Sequence, residues 1–366
     1  MGSLRSANKL IIIGLGGYVF YAIETHYALW RMDASSPIVW VFAFVFYDFC
    51  YYWFHRISHE RQIFWASHVA HHQSEDYNLS TALRQTGTGA FFTWVFYIPV
   101  FLLGVPSYVF VSVASINLVY QFWVHSEHIP KLGWYEKFFV TASNHRVHHA
   151  QNDNYIDKNY GGVFIIWDRM FGTYKEEDES EAPIYGIRGT LNTFNPIWAN
   201  LHVYFSMAKD IWNAQNWKDK FFVPFAKTGW RPSSLPEQPA KDHFDVETFQ
   251  KYNPEVSIKI KIYSFFQFLA LAYVGLVILE SGELNYQELW VTVSMMAFTM
   301  YCTSLWLDGK EGFAMEITRL ALCIIIGVYS FFDATLGSIA ISLLGYSGIN
   351  ILLLPLINRP QISSKA

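Results

Sequence analysis

The chain has 366 residues, of which 52% are hydrophobic and 19% aromatic, while only 15% carry a formal charge. Soluble domains carry about 25% charged residues, so this composition favours a membrane protein over a soluble enzyme. The formal net charge of −4, with no run of like charge that suggests an interaction tail, gives no reason to expect nucleic acid as a partner.

Apolar segments recur along the chain and predict membrane helices. They lie near residues 10–30, 38–54, 89–103, 106–124, 262–279, 287–306, 320–333 and 336–357. Several reach the roughly 20 residues that cross a bilayer. The arms at 89–103 and 106–124 are short and meet at a Gly-Val-Pro turn, so the sequence leaves open whether this pair spans the membrane or re-enters it. The expected fold is all-α, a polytopic helical membrane bundle.

Between about residues 129 and 258 the composition changes to mixed charge with scattered proline and tryptophan, which is typical of a region at or above the membrane surface. We therefore predict a catalytic domain at 1–258 with N-terminal membrane helices, and a four-segment transmembrane region at 259–366. Lysine and arginine flank alternate short loops, and this bias predicts that both termini and the 129–258 region are cytoplasmic.

Histidines cluster at four places before residue 150. The clusters are HRISH with His55 and His59, HVAHH with His68, His71 and His72, HSEH with His125 and His128, and HRVHH with His145, His148 and His149. Residues three or four apart share a helix face, so each such pair can direct two imidazoles to one centre. The adjacent pair that ends each HxxHH points about 100° apart and can serve two neighbouring metals.

The clustered set predicts a metal centre rather than isolated core residues. Eight or more imidazoles exceed the four ligands of one structural zinc, so two metals are expected. Imidazole binds iron, copper, nickel and zinc alike, and the residues alone do not choose among them. The histidines outside the clusters, His26, His202 and His243, are interpreted as hydrogen-bonded structural residues. Cys50, Cys302 and Cys323 lie in apolar runs without CxxC spacing and are expected to be reduced thiols.

The series HRISH, HVAHH and HRVHH resembles the fatty acid hydroxylase superfamily of membrane di-iron oxygenases, which includes the sterol desaturases. The stretches YDFCYYWFHRISHE, EDYNLSTALRQ, YQFWVHSE, HRVHHAQNDNYIDKNYGG and IIWDRMFGTY are similar to members that cleave ether lipids. The charge bias predicts that the histidine-rich helical cap is cytoplasmic. The resemblance implies that this cap holds two irons, with O2 as co-substrate and tetrahydrobiopterin as electron donor. The implied reaction hydroxylates the carbon next to the ether oxygen of an alkylglycerol, and the hemiacetal then gives a fatty aldehyde and a glycerol derivative.

The resemblance also implies roles for individual residues. The implied iron ligands are His55, His59, His68, His71, His72, His125, His145, His148 and His149, and His128 is a further candidate although the subfamily usually has no histidine there. Glu60 is implied to contact the pterin or the substrate, with a solvated surface role as the alternative. Helix spacing, rather than the resemblance, places Asp48 two turns before His55 on the same face, where it is expected to accept the N–H of that imidazole, with a cap at the membrane interface as the alternative. Asp157, Asn159 and Asp168 are expected to orient ligands or cap a helix.

Two other functions stay open on the sequence. The first is a hydroxylase or desaturase of another lipid, such as a sterol or an acyl chain, with a different electron donor. The second is a non-enzymatic membrane protein that binds metal or carries lipid. For all of these functions, the expected partners are a lipid and the membrane. The membrane would be the endoplasmic reticulum in a eukaryote and the inner membrane in a bacterium.

Overall fold

A computed structural model describes residues 15–236, 248–281, 285–333 and 336–357. Within these residues the secondary structure is helical, with three isolated β-bridges and no sheet, so the prediction of an all-α chain is confirmed. Two compact units divide the chain. Among the described residues, the first comprises 15–191 together with Asn200–Lys251, and the second comprises Asn192–Ala199 together with the residues from Tyr252 onward.

The helices before residue 252 are α1 (Leu15–Ala22), α2 (Pro37–Glu60), α3 (Gln62–Ala66), α4 (Val69–His72), α5 (Leu79–Leu83), α6 (Ile98–Leu102), α7 (Ser107–Trp123), α8 (Ala142–His149), α9 (Ile166–Phe171), α10 (Pro196–Asn213) and α11 (Trp217–Phe222). Those after it are α12 (Ile258–Ser281), α13 (Tyr286–Leu307), α14 (Phe313–Phe332) and α15 (Gly337–Leu353). A π-helical turn at Ile23–Tyr27 and 3-10 turns at Gly89–Phe91, Thr93–Tyr97, Gly133–Lys137, Val223–Phe225 and Leu354–Leu356 complete the described elements.

Helix α2 is the long helix of the first unit. It begins at Pro37, whose missing N–H is harmless in the first turn of a helix, and its 24 residues rise about 36 Å, enough to cross a bilayer. Ala43 and Tyr47 on its inner face pack in an apolar core with residues of α6 and α7. Its last two turns carry His55 and His59. These two imidazoles therefore lie at one end of a helix long enough to span the membrane.

The segment at 89–103 does not form one continuous helix. It consists of two 3-10 turns followed by the five-residue helix α6, and it reverses direction at Gly104. Gly104 has φ +85°, and a Cβ atom there would lie 1.9 Å from the carbonyl oxygen of Trp30, so only glycine fits. After this turn α7 runs for 17 residues and packs against α2.

The second unit contains three further helices that are long and apolar enough to cross a membrane, α12, α13 and α14, while α15 is apolar but shorter. Large apolar side chains on these helices point outward, among them Phe332, Ile341 and Leu352. A helix that is apolar on its outer surface is stable in lipid and not in water. Together with α2, these helices make the chain an integral membrane protein.

A buried polar network joins the four helices of the second unit. Arg319 on α14 is fully buried and pairs with Glu316 one turn before it, where Nε lies 3.3 Å from Oε2. The guanidinium also contacts Thr299 on α13 and Tyr263 on α12, and the Tyr263 hydroxyl donates to Asn350 on α15 at 3.1 Å. A buried charge in such helices requires partners, and this one has them on every neighbouring helix.

Candidate metal centre

Four short stretches of the first unit bring nine histidines together. His55 and His59 come from the end of α2, three more from the α3–α4 region, His125 follows α7, and the last three lie on α8. Helix α8 is fixed at its start by a capping box, in which Asn144 accepts from the backbone N–H of Thr141 at 3.1 Å. All described histidines on α8 are buried.

The nine imidazoles fall into two groups whose candidate ligand atoms lie within 4.8 Å of one another inside each group. Site A consists of His55, His59, His68, His72 and His148, and site B consists of His71, His125, His145 and His149. The adjacent histidines of each HxxHH motif are divided between the two sites, because neighbouring residues on a helix point about 100° apart. The chain thus offers five nitrogen donors at one centre and four at the other.

Short distances between ring nitrogens show where the imidazoles converge. In site A the Nε2 atom of His68 lies 3.1 Å from that of His55 and 3.2 Å from that of His72. In site B the Nε2 atom of His125 lies 3.3 Å from that of His71. Two imidazole nitrogens, each about 2.0–2.1 Å from a shared metal, are separated by about 3.0–3.4 Å. The observed separations fit imidazoles that share an ion.

Unpartnered nitrogen atoms support the same interpretation. The Nε2 atoms of His59, His148 and His149 are buried and have no hydrogen-bond partner among the described residues. A buried polar atom without a partner costs about 1–3 kcal/mol, and a metal ion would remove that cost. The residues present therefore fit a pair of metal ions.

The imidazoles of both sites are neutral at physiological pH, which is the form that binds metal. Burial lowers the pKa of His71 to about 3 and that of His125 to about 4. Burial also holds the pKa of His72, His148 and His149 well below the usual range, and positive charge on neighbouring imidazoles would lower it further.

Backbone carbonyl groups orient two of the site A rings. Nδ1 of His55 lies 2.8 Å from the carbonyl oxygen of Tyr160, and Nδ1 of His148 lies 2.9 Å from that of Lys158. A carbonyl oxygen only accepts, so each Nδ1 carries the proton and donates it. Each Nε2 is then left with a free lone pair directed at site A, an arrangement that fixes both the tautomer and the ring orientation.

The loop that supplies these carbonyls is held in place by polar side chains. Asp157 and Asn159 have positive φ angles of 58° and 55°, which Asp and Asn adopt more readily than most residues. The buried Asn159 amide donates to the carbonyl oxygen of Asn144 at 3.0 Å, and Asp168 accepts from the backbone N–H of Tyr160 at 2.7 Å. Asn159 and Asp168 thus act on the loop backbone, and through it on the histidines.

The prediction that Asp48 accepts a hydrogen bond from His55 is wrong. The Asp48 carboxylate is fully buried but accepts from Asn117 Nδ2 at 2.7 Å, from the backbone N–H of Val163 at 2.8 Å and of Phe164 at 2.9 Å, and from the indole of Trp167. The Tyr160 carbonyl takes the position at His55 instead. Asp48 therefore fastens α2 to α7 and to the segment that follows the carbonyl-bearing loop.

Three other candidates lie at the edge of the site or outside it. His128 is exposed and belongs to neither site, so the suggestion that it joins the ligands is not supported by its position. Asp157 is partly exposed, with Oδ1 3.9 Å from Nδ1 of His59. Glu60 ends α2 next to His59, and its carboxylate accepts from Arg56 Nε at 2.8 Å.

Sequence reasoning missed three aromatic residues that line the sites. The rings of Trp65 and Tyr160 lie 5.2 and 5.3 Å from that of His59, and the ring of Tyr77 lies 5.2 Å from that of His149. No spacing rule picks out these rings. Gly161 and Gly162, which follow Tyr160, are the sequence feature that could have pointed to this part of the site. A Cβ atom at Gly162 would lie 2.7 Å from Oδ1 of Asp48.

Comparisons with known proteins cover the segment that carries these histidines. The family model described as Fatty acid hydroxylase matches residues 40–173, which contain all nine histidines of sites A and B. No solved structure matches the chain.

Several curated proteins are similar to the chain. An alkylglycerol monooxygenase of Homo sapiens is 39% identical over 84% of this chain and 68% of its own length, and one of Danio rerio is 42% identical over 60% of this chain and 48% of its own length. An ornithine lipid hydroxylase of Rhizobium tropici is 27% identical over 46% of this chain and 51% of its own length. The matches thus span between about half and two thirds of these relatives. The chain belongs to the alkylglycerol monooxygenase family, a family of membrane lipid oxygenases within the fatty acid hydroxylases.

Proposed function

We propose that this chain is a di-iron monooxygenase that hydroxylates the carbon next to the ether oxygen of alkylglycerol lipids. The observation that carries the proposal is the convergence of nine buried histidines in sites A and B, at one end of a membrane-length helix. The similarity to alkylglycerol monooxygenases supports the choice of an ether lipid over other lipids.

Two irons bound in sites A and B would supply the activation of O2. The reaction consumes one O2, two electrons and two protons, inserts one oxygen atom into the C–H bond and releases the other as water. We propose tetrahydrobiopterin as the two-electron donor. The hydroxylated carbon is a hemiacetal, and its collapse breaks the bond to the ether oxygen, giving a fatty aldehyde and a glycerol derivative.

The protein residues prepare the site for this chemistry. Neutral imidazoles bind the ions, and the carbonyl groups of Tyr160 and Lys158 hold two of the rings in the required tautomer. The rings of Trp65 and Tyr160 lie against site A and limit the access of water. We propose that Glu60, paired with Arg56 at the end of α2, contacts the pterin from the aqueous side.

We further propose that both sites face the cytoplasm, that residues 1–258 form the catalytic domain, and that residues 259–366 form a C-terminal transmembrane region. The charge bias of the short loops supports this orientation. A soluble pterin would then reach the irons directly, while the bilayer delivers the alkyl chain.

The test is an assay of the purified full chain, reconstituted with iron, against alkylglycerol, a sterol and an acyl lipid. With tetrahydrobiopterin, fatty aldehyde should form from the alkylglycerol and be lost in a His148→Ala variant. Oxidation of the sterol or the acyl lipid alone would favour another reaction of the superfamily. Bound metal with no oxidation of any lipid would point to a non-enzymatic role.

A further inference from the structure

The first unit exposes a group of large aromatic side chains far along the chain from the histidines. This aromatic patch consists of Trp212, Trp217, Phe221, Phe222 and Phe225. The exposed fractions of Trp212, Trp217 and Phe221 are 83%, 74% and 73%. Aromatic residues this exposed in adjacent positions mark a surface that contacts something apolar.

Local structure explains why the patch faces outward. The Asn216 side chain caps α11 by accepting from the backbone N–H of Asp219 at 2.8 Å. Trp217 and Phe221 are four residues apart and share one face of that helix, and Phe225 continues the same spacing. The opposite side packs inward, where Val223 joins a separate apolar core. Val223 thus ties the segment to the core, while the rings of Trp217 and Phe221 stay exposed.

The segment that carries the patch is rich in basic residues. Residues 208–231 contain five lysine or arginine residues and two aspartates. One aspartate, Asp210, is buried and neutralised by Arg231, with Oδ2 2.8 Å from Nε. Lys209, Lys218 and Lys227 are exposed, so the segment that carries the patch has a positive charge even with Asp219 counted.

We propose that the aromatic patch docks on the surface of the bilayer in which the chain is anchored, with the rings among the lipid headgroups and the lysines against anionic headgroups. Tryptophan and lysine together are the composition of interfacial membrane segments. Protein interfaces are instead depleted in lysine. The unit that carries the patch also contains the membrane-length helix α2, so a bilayer lies beside it.

Docking of the patch fixes the depth of the histidine sites. The backbone N–H of Gln62 donates to the carbonyl of Ala226 at 3.1 Å, and that of Thr228 donates to the carbonyl of Glu60 at 3.2 Å. These bonds join the end of the patch segment to the end of α2, next to His59. A patch held at the headgroups therefore holds site A close to the membrane surface, whatever lipid is oxidised.

The test measures the depth of the patch in reconstituted full-length protein. A single fluorescent label is attached to a cysteine in Phe221→Cys and, as control, in Glu179→Cys, an exposed position in the same unit. Native Cys50, Cys302 and Cys323 are buried, so labelling is confined to the new thiol. Nanodiscs contain phosphatidylcholine alone or with phosphatidylserine, and lipids carrying a nitroxide near the headgroup act as quencher.

Quenching at position 221 should be at least about twofold stronger than at position 179, since an interfacial side chain lies within the headgroup and upper acyl region. Phosphatidylserine should increase it, and high salt or the Lys209→Gln/Lys218→Gln double variant should remove that increase. Equal quenching at the two positions overturns the proposal. So does a label at 221 that is shielded from quencher in a dimeric sample, since a second copy would then cover the patch.

Discussion

At the scale of single residues, each imidazole of sites A and B supplies one of the nitrogen donors that converge at its site. We predict that alanine at His55, His71, His72, His148 or His149 lowers turnover by at least about 100-fold, because even residues that only support ligands affect metal sites by 10–100-fold. Membrane insertion should be unchanged, since these side chains lie outside the lipid-facing surface. Turnover, bound metal and membrane yield of each variant test this.

Histidines outside the two sites provide matched controls. Alanine at His26, His128 or His202 should leave bound metal close to the wild-type amount, and so should alanine at His243, which lies outside the described residues. The position of His128 on the surface makes it the sharpest control. Loss of metal in the His128 variant would show that the ligand set extends beyond sites A and B.

Asp48 supports the fold around site A rather than a ring. Its carboxylate is fully buried and accepts from Asn117, Val163 and two further donors. Asp48→Ala leaves these donors unsatisfied, and we predict a loss of about 3 kcal/mol in the free energy of unfolding. Glu179→Ala, at an exposed position in the same unit, should change it by less than about 0.5 kcal/mol. Equal melting temperatures of the two variants would contradict this role.

The histidine clusters could be read from the sequence because spacing on a helix sets which rings share a face. The hydrogen-bond partner of His55 could not be predicted from the sequence, because the carbonyl of Tyr160 lies 105 residues farther along the chain. Asp48 lies seven residues before His55 and therefore on the same helix face. Its carboxylate nevertheless accepts from the backbone N–H groups of a distant loop and not from His55. Contacts made by loops depend on tertiary structure, which residue spacing does not encode.

At the scale of elements, the buried Arg319–Glu316 pair on α14 holds the second unit together. Arg319→Met leaves Glu316 buried without its cation, and we predict a destabilisation of about 3–5 kcal/mol. Adding Glu316→Gln to the same chain should recover a large part of that loss, because the uncompensated charge is gone. Thermal unfolding in detergent measures both variants. If the Arg319→Met variant alone is as stable as the wild type, another group must compensate the buried charge of Glu316.

The long helices were predictable because their apolar runs match the length of a bilayer span. The stretch at 89–103 is less regular, since Gly104 must accept a backbone conformation closed to other residues and shortens the preceding helix. The Gly-Val-Pro motif predicted the turn, but apolar composition did not reveal the two 3-10 turns that precede α6. The four helices of the second unit correspond to the four apolar segments expected there, although α15 is shorter than a typical span.

At the scale of the whole molecule, the distribution of lysine and arginine predicts the orientation in the membrane. A cysteine at Ser180 should resist a membrane-impermeant thiol reagent in intact cells and react once the membrane is opened. A cysteine at Ser281, at the end of α12, should react from outside. Labelling of position 180 in sealed cells would reverse the orientation and remove direct access of a cytoplasmic pterin to the sites.

We propose that two metals bound by the nine histidines oxidise an ether lipid. The most direct measurement determines the metal content and the fatty aldehyde produced from alkylglycerol and tetrahydrobiopterin on one purified sample. We predict two irons per chain, and aldehyde formation that falls in proportion when iron is removed by a chelator and returns when iron is restored. A sample with two irons per chain that makes no aldehyde, or one that makes aldehyde at full rate after iron is removed, would contradict the claim.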